Sequence, residues 1–342
     1  MSRIAIRSSE GWLGSGRPVE DALVVWDGGS IAHAGVWDPA VAGHDVLEID
    51  GFLMPAGADR HVHVELSDPA TILRGGVTAV RDLAWPAERI FSLADLSDLP
   101  TFDGPLIRAV GPMLTGGGGY PSREPWAPPG TARELAGADD AADAVRELHA
   151  LGAAAIKVSL HAEAGPTPTD AELMTIVDVA HELELPVTAH AQGKGEVDRA
   201  LGSGIDELAH TPWTERLADD TVRRCAKSLR IVSTLDILGR GRVTPELEVA
   251  LDNLRRFHEA GGRITYGTDL GNGSIPPGVH VGELRLLVDA GLTVEEVLGA
   301  LVRAPLEAGA PADLIALPRN PFDDLEALST PTLVVRAGRR VT

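Results

Sequence analysis

Side chains that can bind a metal ion recur through the middle of this 342-residue sequence. His61 and His63 stand two positions apart, and residues i and i+2 of a β-strand point to the same face of the strand. Both imidazoles can therefore reach one ion, and neutral imidazole is a good ligand for zinc and similar metals. His190 and His210 would add two more nitrogens, and Asp269 offers a carboxylate that can bind a metal or accept a proton. Together these residues predict a metal site.

Lysine is scarce in the sequence, which makes the position of each lysine informative. Only three of the 30 Lys and Arg residues are lysine, and Lys157 is the one that lies in an apolar segment of Ala, Ile, Val and Leu. The alternative interpretation is a surface lysine or a lysine in a salt bridge. A cation near the end of such a segment is an unusual choice for either role. We therefore predict that Lys157 belongs to the metal site.

The elements that must position these residues alternate between two patterns. Apolar segments of strand length are followed in most cases by amphipathic segments of helical period. The predicted strands are residues 58–64, 78–83, 105–114, 154–160, 187–191, 205–210, 231–235 and 263–268. The predicted helices are residues 139–151, 169–184, 196–201, 219–228, 245–260 and 281–290. Eight such strands over about 250 residues predict a (β/α)8 TIM barrel. A doubly wound open sheet is the competing fold, but the sequence has no glycine-rich fingerprint after the first of these strands.

The candidate residues occupy the part of a barrel where chemistry takes place. In TIM barrels, catalytic residues lie at the C-terminal ends of the strands. Six metal-competent side chains fall at or near the ends of five of the predicted strands; they are His61, His63, Lys157, His190, His210 and Asp269. A single histidine at such a place is usually structural. Six residues at matching positions predict a shared site.

Both ends of the chain are rich in short predicted strands. At the N-terminus these are residues 3–7, 22–27, 30–36 and 46–49, and at the C-terminus 312–317, 331–336 and 338–341. Because chain termini often lie close together, the two sets can pair with each other. We predict that residues 1–54 and 311–342 form one small β-sandwich domain and that residues 55–310 form the barrel.

Composition excludes several classes of protein. The formal net charge of −20 argues against nucleic-acid binding, which needs a basic surface. A single cysteine, Cys225, excludes an intramolecular disulfide framework and a cysteine-rich zinc module. The sequence shows no targeting signal and no apolar segment of about 20 residues, so we expect a cytoplasmic protein without a membrane partner. Whether it forms a homo-oligomer is left open.

Ten consecutive residues, Met54 to His63, resemble the opening motif of the amidohydrolase superfamily of metal-dependent hydrolases. Later segments are similar to its further motifs in the same order. Lys157 and its neighbours resemble the fourth-strand lysine of the imidazolonepropionase-like and dipeptidase-like branch. The other matching segments are Thr188–Ala191, Glu207–His210, Gly267–Asp269 and Ala312–Leu317. The resemblance covers nearly the whole chain, and it identifies a superfamily rather than a substrate.

The resemblance implies a role for each matching residue. His61, His63 and Asp269 would bind the more buried of two divalent metal ions, and His190 and His210 would bind the more exposed one. The lysine would be carbamylated by CO2, so that its new carboxylate bridges the two ions. The implied metal is Zn2+, with Mn2+ and Fe2+ as alternatives.

The resemblance also implies a reaction. A hydroxide that bridges the two ions would cleave a C–N bond in a small amide, cyclic amide or peptide-like molecule. Asp269 would take the proton of the nucleophile and pass it to the leaving group. The implied partner is therefore a small-molecule substrate.

One departure from the family concerns the glycine-rich loop after the third predicted strand. Family members often carry a histidine there, whereas residues 116–119 are all glycine and Tyr120 follows. Tyr120 either replaces that histidine as a donor to the substrate carbonyl or belongs to a loop that is simply flexible. Further candidate substrate-binding residues on the loops are Arg123, His161, Gln192, Trp213, Arg240 and His280, of which His161 and His280 are alternatively candidates for partners of the metal ligands. An arginine there would pair with a substrate carboxylate, although in so arginine-rich a chain a solvated loop residue is the simpler interpretation.

Two other functions compete with amide hydrolysis. The first keeps the fold and the metal site but uses them for deamination, for lactone or ester hydrolysis, or for decarboxylation in a secondary-metabolic tailoring step. The second is a non-enzymatic barrel that uses a metal only for stability or ligand binding. An intact ligand set together with Asp269 argues against the non-enzymatic function.

Overall fold

The structure of the chain, a computed structural model, describes residues 3–43 and 45–341. The predicted terminal domain also includes Met1, Ser2, His44 and Thr342, which lie outside the described residues.

The strands are numbered in chain order. They are β1 (Ile4–Gly11), β2 (Val19–Asp27), β3 (Ser30–Val36), β4 (Val46–Pro55), β5 (Gly57–Val62), β6 (Val77–Asp82), β7 (Leu106–Ala109), β8 (Met113–Thr115), β9 (Ala132–Glu134), β10 (Ile156–His161), β11 (Val187–Gln192), β12 (Glu207–Leu208), β13 (Arg230–Val232), β14 (Arg263–Thr265), β15 (Leu314–Leu317), β16 (Leu333–Arg336) and β17 (Arg339–Val341).

The helices are numbered in the same way. They are α1 (Pro39–Ala42), α2 (Pro69–Arg74), α3 (Ala87–Ser97), α4 (Ala138–Ala150), α5 (Asp170–Glu182), α6 (Glu196–Ser203), α7 (Asp219–Ser228), α8 (Asp236–Gly239), α9 (Pro245–Glu259), α10 (Val281–Asp289) and α11 (Val294–Leu301), with short 3-10 turns at Val64–Leu66 and Leu325–Ser329. Within the described ranges, none of these helices has the length and apolar character needed to cross a bilayer.

Local sequence signals explain where the helices begin. At the start of α5, Thr169 and Glu172 form a capping box, in which each side chain accepts a hydrogen bond from the other residue's amide. Thr244 caps α9 through its side chain, and Pro245 occupies the first turn, where its missing N–H costs nothing. The six predicted helices are therefore found within a few residues of their expected bounds.

Two parallel sheets make up the barrel. One has the order β5-β6-β7, and the other has the order β14-β13-β12-β11-β10-β8-β9. The ring closes between β5 and the segment after β14, because the amide of Arg60 donates to the carbonyl of Tyr266 at 3.1 Å and Val62 forms a parallel bridge with Leu270. The largest apolar cluster among the described residues packs mainly within this barrel and under its helices, and it extends into the terminal segments through residues such as Phe52 and Ile315.

The third strand of the barrel is divided, which the sequence pattern did not predict. β7 pairs with β6, and β8 pairs with β10. Between them, Gly111 adopts a φ of 74° and Pro112 has no N–H to donate, so a continuous ladder cannot form. A Cβ at residue 111 would lie 2.9 Å from the ring of Phe91, so glycine is also needed there for packing.

Both ends of the chain meet in one further sheet, with the order β17-β16-β15-β4-β1-β2-β3. β4 pairs in parallel with β1 and antiparallel with β15, so that Met54 lies opposite Ile315. Buried side chains from both ends, such as Trp26 and Val335, pack into one apolar cluster. The predicted fold class, a (β/α)8 TIM barrel with a small β-sandwich domain formed from both termini, is confirmed, and the strands of the terminal domain belong to one seven-stranded sheet. The domain boundaries at residues 54/55 and 310/311 stay a prediction.

Candidate metal centre

Three of the predicted metal ligands meet at the C-terminal end of the barrel. His61 lies in β5, His63 follows that strand, and Asp269 comes shortly after β14. Their ligand atoms all lie within 4.8 Å of one another. Nε2 of His61 lies 3.4 Å from Oδ1 of Asp269, and Nε2 of His63 lies 3.3 Å from the same oxygen. All three residues are buried, and together they form a candidate metal site.

The conformation of Asp269 is fixed by its neighbours. Its φ of 58° lies in the left-handed region, which is uncommon for a residue other than glycine. Its amide donates to the carbonyl of His61 at 2.8 Å, and Asn272 Nδ2 donates to its Oδ1 at 2.9 Å. Gly267 permits the segment after β14 to approach β13 and β5 closely. A Cβ at this position would collide with Val232 and would lie 3.1 Å from the amide nitrogen of His61.

His210 and His190 continue the cluster across the neighbouring strands. The ring centroid of His210 lies 4.4 Å from that of His61, and the ring centroid of His190 lies 4.7 Å from that of His210. His190 belongs to β11, and His210 comes two residues after β12. Both are buried. The four imidazoles therefore form one group at the strand ends.

Main-chain carbonyls orient the two imidazoles of the His61–His63 pair. Nδ1 of His61 lies 2.8 Å from the carbonyl oxygen of Ala209, and Nδ1 of His63 lies 3.1 Å from that of Ala84. Because a carbonyl only accepts hydrogen bonds, both Nδ1 atoms carry the proton. In the neutral form of each ring Nε2 then keeps a lone pair, and both Nε2 atoms face Asp269.

Side chains orient the other two imidazoles. Nδ1 of His210 lies 2.9 Å from Oγ1 of Thr234. Nε2 of His190 lies 3.1 Å from Nδ1 of His161. His190 thus differs from the other three histidines, since its Nε2 rather than its Nδ1 is engaged by a partner.

Burial governs the charge of the histidines. It holds the pKa of His61, His190 and His210 well below the ordinary value, and the positive charge of neighbouring groups acts in the same direction. Burial also lowers the pKa of His63, but the hydrogen bond and negative charge of Asp269 outweigh it and raise the pKa above its ordinary value. Three of the four rings are therefore neutral near neutral pH, which is the form that binds a metal.

Lys157 lies in β10 and is fully buried. Within the described part of the chain, its Nζ has no hydrogen-bond partner. Burial lowers the pKa of Lys157 to about 7, while the charge of Asp269 opposes that shift. A buried amine without a partner is costly, so its presence indicates a site that a bound group completes. The nearby imidazole nitrogens and carboxylate oxygen fit a divalent transition metal.

Aromatic side chains cover this group of residues. The ring of Tyr120 stacks on that of His190 with 4.9 Å between centroids, and it lies 4.9 Å from the ring of His161. The ring of Trp213 lies 5.5 Å from that of His210. The ring of Trp126 lies 4.6 Å from that of His63. The candidate site thus has an aromatic wall.

The other predicted substrate-binding residues have different surroundings. Gln192 is fully buried, and neither atom of its amide group has a hydrogen-bond partner among the residues described. Nε2 of His280 lies 2.7 Å from a carboxylate oxygen of Asp236. Arg123 and Arg240 are exposed on their loops. Substrate contact by all of these residues stays a prediction, as do the metal-ligand roles of the six residues named above.

Sequence reasoning missed two residues that support the site. Asp59 is buried and accepts hydrogen bonds from the amides of His61 and Thr268 at 3.0 and 3.1 Å and from the Thr268 hydroxyl at 2.5 Å. Its spacing was a usable signal, since Asp59, His61 and His63 occupy every second position of the predicted strand at residues 58–64. Thr234 was also missed, although it follows β13 at the same end of the barrel.

Comparison with known proteins gives one family and several relatives. The model of the amidohydrolase family matches residues 52–301. An uncharacterized protein of Mycobacterium tuberculosis is 26% identical over 368 aligned residues, which cover 95% of this chain and 94% of the relative. Ochratoxinase of Aspergillus niger is 27% identical over 191 residues, which cover 48% of this chain and 38% of that enzyme.

Solved structures share the fold over almost the whole chain. The crystal structure of A. niger ochratoxinase matches with a TM-score of 0.83 at 21% identity and covers 99% of this chain and 95% of the other. A Xaa-Pro dipeptidase with methionine bound in its active site matches with a TM-score of 0.82 at 20% identity, covering 99% of this chain and 100% of the other.

Proposed function

We propose that this chain, which belongs to the amidohydrolase family, cleaves an amide, cyclic amide or peptide-like bond of a small molecule with the help of two divalent metal ions. The observation that carries the proposal is the group of four imidazoles and a carboxylate at the strand ends of the barrel. A buried lysine, whose Nζ has no hydrogen-bond partner among the residues described, lies close enough to lower the pKa of three of those imidazoles.

The residues divide into two metal positions. His61, His63 and Asp269 would hold the first ion, and His190 and His210 would hold the second. Zn2+ is the metal we propose, because imidazole and carboxylate ligands suit it, and Mn2+ and Fe2+ are the alternatives. Divalent ions bound there would supply a lowered pKa for a coordinated water and polarisation of the substrate carbonyl.

Lys157 is proposed to bridge the two positions as a carbamate. A neutral primary amine attacks CO2, a new N–C bond forms, and one proton is released to solvent, which leaves a carboxylate on Nζ. The low pKa of Lys157, about 7, supports this step because it keeps much of the amine neutral. Arginine could not replace it, since a guanidinium is not a free amine nucleophile at neutral pH.

Asp269 is proposed to move the proton. Water adds its oxygen to the carbonyl carbon while the C–N bond breaks, and the proton released by the water must reach the leaving nitrogen. Asp269 stands beside His61 and His63 and takes a hydrogen bond from Asn272, so its carboxylate is held at the place where the proton is released. General acid–base help of this kind is worth about 10²–10⁴-fold in rate.

The aromatic wall supports a substrate with an apolar or aromatic part. Tyr120, Trp126 and Trp213 present their rings to the histidines. The Tyr120 hydroxyl is hydrogen-bonded to Trp126, and burial keeps its pKa well above the ordinary value. Because the indole N–H can only donate, the Tyr120 proton is free to bond the substrate carbonyl.

The first experiment combines metal analysis with a substrate screen. We expect two equivalents of divalent metal per chain and hydrolysis of at least one member of a library of dipeptides, N-acyl amino acids and cyclic imides. Lactones, esters and amino-substituted heterocycles belong in the same screen, because turnover of those alone would favour one of the alternative reactions. A chain that binds less than one equivalent of metal, in carefully handled protein, would contradict the proposal.

Lys157→Ala tests the bridge separately. The variant is expected to lose the second equivalent of metal and to regain it with a short carboxylic acid, such as acetate, which can occupy the place of the carbamate. Lys227→Ala, in the last turn of α7, is the matched control and should keep both equivalents. An unchanged content of two equivalents in Lys157→Ala would refute the bridge.

A further inference from the structure

We propose that His161 is a positioning residue for the second metal position, where it holds the ring of His190 so that Nδ1 faces the ion. The proposal rests on the two-metal function above. Its basis is the contact between Nε2 of His190 and Nδ1 of His161, at 3.1 Å, which engages the ring nitrogen opposite to the one engaged in the other three histidines.

The strand register brings the two rings together. β10 and β11 are parallel neighbours, and Ser159 pairs with His190 while His161 pairs with Gln192. Lys157 and His161 are four residues apart in one strand, so both side chains lie on the same face of β10. That strand therefore supplies both the proposed bridging lysine and the partner of His190.

The surrounding rings limit rotation of the pair. The centroids of His161 and His190 are 4.9 Å apart with 31° between the ring planes. Tyr120 lies against both rings, at 4.9 Å from each centroid, and the ring of His210 stands at 87° to that of His190. A flip of the His190 ring would put a carbon in place of Nε2 and so break the contact with His161.

The contact between His190 and His161 matters because it influences which ring nitrogen of His190 carries the proton. A neutral imidazole has one N–H donor and one lone pair. If Nε2 of His190 carries the proton, it donates to Nδ1 of His161, and Nδ1 of His190 is left with the lone pair that a metal requires. If the proton sat on Nδ1 of His190, that nitrogen would present N–H to the site and could not bind an ion. When His161 carries its own proton on Nε2, its Nδ1 is the acceptor, and the contact then favours the tautomer of His190 that binds metal.

The test measures metal affinity in three variants of the full chain. His161→Phe keeps a flat ring for Tyr120 but removes the acceptor, and His161→Asn keeps a polar atom near the position of Nδ1. His149→Phe, near the end of α4, is the matched control for the loss of one imidazole. Zn2+ binding is followed by titration calorimetry in CO2-containing buffer, and Co2+ loading is followed by visible absorption.

The expected result is selective. Partners of this kind typically contribute 10–100-fold to metal affinity, so His161→Phe should bind the second equivalent about 10–100-fold more weakly. The first equivalent should keep the wild-type affinity, which also shows that the variant folds. His161→Asn should bind the second equivalent within a few-fold of wild type, and His149→Phe should match wild type.

Three other results would contradict the inference, and each can be told apart from the others. A second equivalent in His161→Phe with unchanged affinity overturns the role of His161 but leaves the two-metal function intact. Equal losses in His161→Phe and His161→Asn also overturn it, since they indicate that His161 binds the ion itself. A wild-type chain with fewer than two equivalents overturns the two-metal function, and this inference with it.

Discussion

The proposed first metal position, with His61, His63 and Asp269, differs from the proposed second position, with His190 and His210, in what orients its imidazoles. Main-chain carbonyls hold the first pair of rings, and side chains hold the second pair. A carbonyl stays in place whatever side chain its residue carries, whereas a side-chain partner disappears with one substitution. The first position is therefore fixed by the fold, and the second can be tuned one residue at a time.

The largest expected effect of a single substitution lies in the first position. Asp269→Asn keeps an oxygen that can bind an ion and can still accept the hydrogen bond from Asn272, but an amide cannot carry the proton to the leaving nitrogen. We expect kcat to fall by about 10²–10⁴-fold with the metal content unchanged. Turnover of the substrate found in the screen, measured alongside metal analysis, checks this.

Asp289→Asn is the control for that substitution, because Asp289 is an exposed residue at the end of α10. It should behave as wild type. Full turnover in Asp269→Asn would show that another group moves the proton, and loss of the first ion would show that the carboxylate charge is needed for binding.

A smaller effect is expected at Thr234, the side-chain partner of His210. Thr234→Val preserves the shape of the side chain but removes the oxygen that lies 2.9 Å from Nδ1 of His210. We expect the second equivalent of Zn2+ to bind about ten-fold more weakly, with the first equivalent unaffected. If Thr234→Val binds both equivalents of Zn2+ more weakly, the two positions do not depend on separate partners, and the difference drawn between them is wrong.

Thr234→Ser serves as the matched control, because it keeps the hydroxyl and removes only a methyl group. Thr234 has a φ of 42°, a conformation that is strained for a β-branched residue, so Ser should also relieve some strain. Thr234→Ser is therefore expected to keep the affinity of wild type for both ions.

Local signals explain which parts of the site and of the fold could be predicted from the sequence. The spacing of His61 and His63 predicts that both can bind one metal ion. Asp269, His190 and His210 could be predicted as ligands because they lie at the ends of predicted strands. The helices were predictable because capping residues such as Thr169 mark their starts. These signals are local, and each can be seen within a few residues of sequence.

The partners of the histidines could not be predicted, because they depend on contacts across the barrel. The carbonyl of Ala209 is 148 residues from His61 in sequence, and Thr234 is 24 residues from His210. His161 was predicted as a substrate contact or as a partner of a metal ligand, but its approach to His190 depends on the register of two parallel strands. When a helix separates two strands in sequence, no short sequence pattern predicts the register in which those strands pair.

The smallest effect on the loaded enzyme is expected at Asp59, which joins the β5 and β14 segments of the first position. Asn can reproduce its geometry, since the amide oxygen accepts from the amides of His61 and Thr268 while the amide nitrogen donates to the Thr268 hydroxyl. Metal affinity of Asp59→Asn should therefore stay within a few-fold of wild type. The difference should appear in the metal-free chain and should depend on pH.

Burial raises the pKa of Asp59 to about 6, against the hydrogen bonds from Thr268 and His61 that lower it. The folded chain then binds this proton more tightly than the unfolded chain does, so the stability contributed by Asp59 is present at low pH and is lost as the pH rises through about 6. Asn does not titrate. Between about pH 5 and about pH 7, the unfolding free energy of metal-free wild type should fall relative to Asp59→Asn by on the order of 1–2 kcal/mol. Urea denaturation of chelator-treated protein measures this difference. A constant difference across that range would contradict the raised pKa, because it would show that Asp59 binds its proton equally tightly in the folded and the unfolded chain.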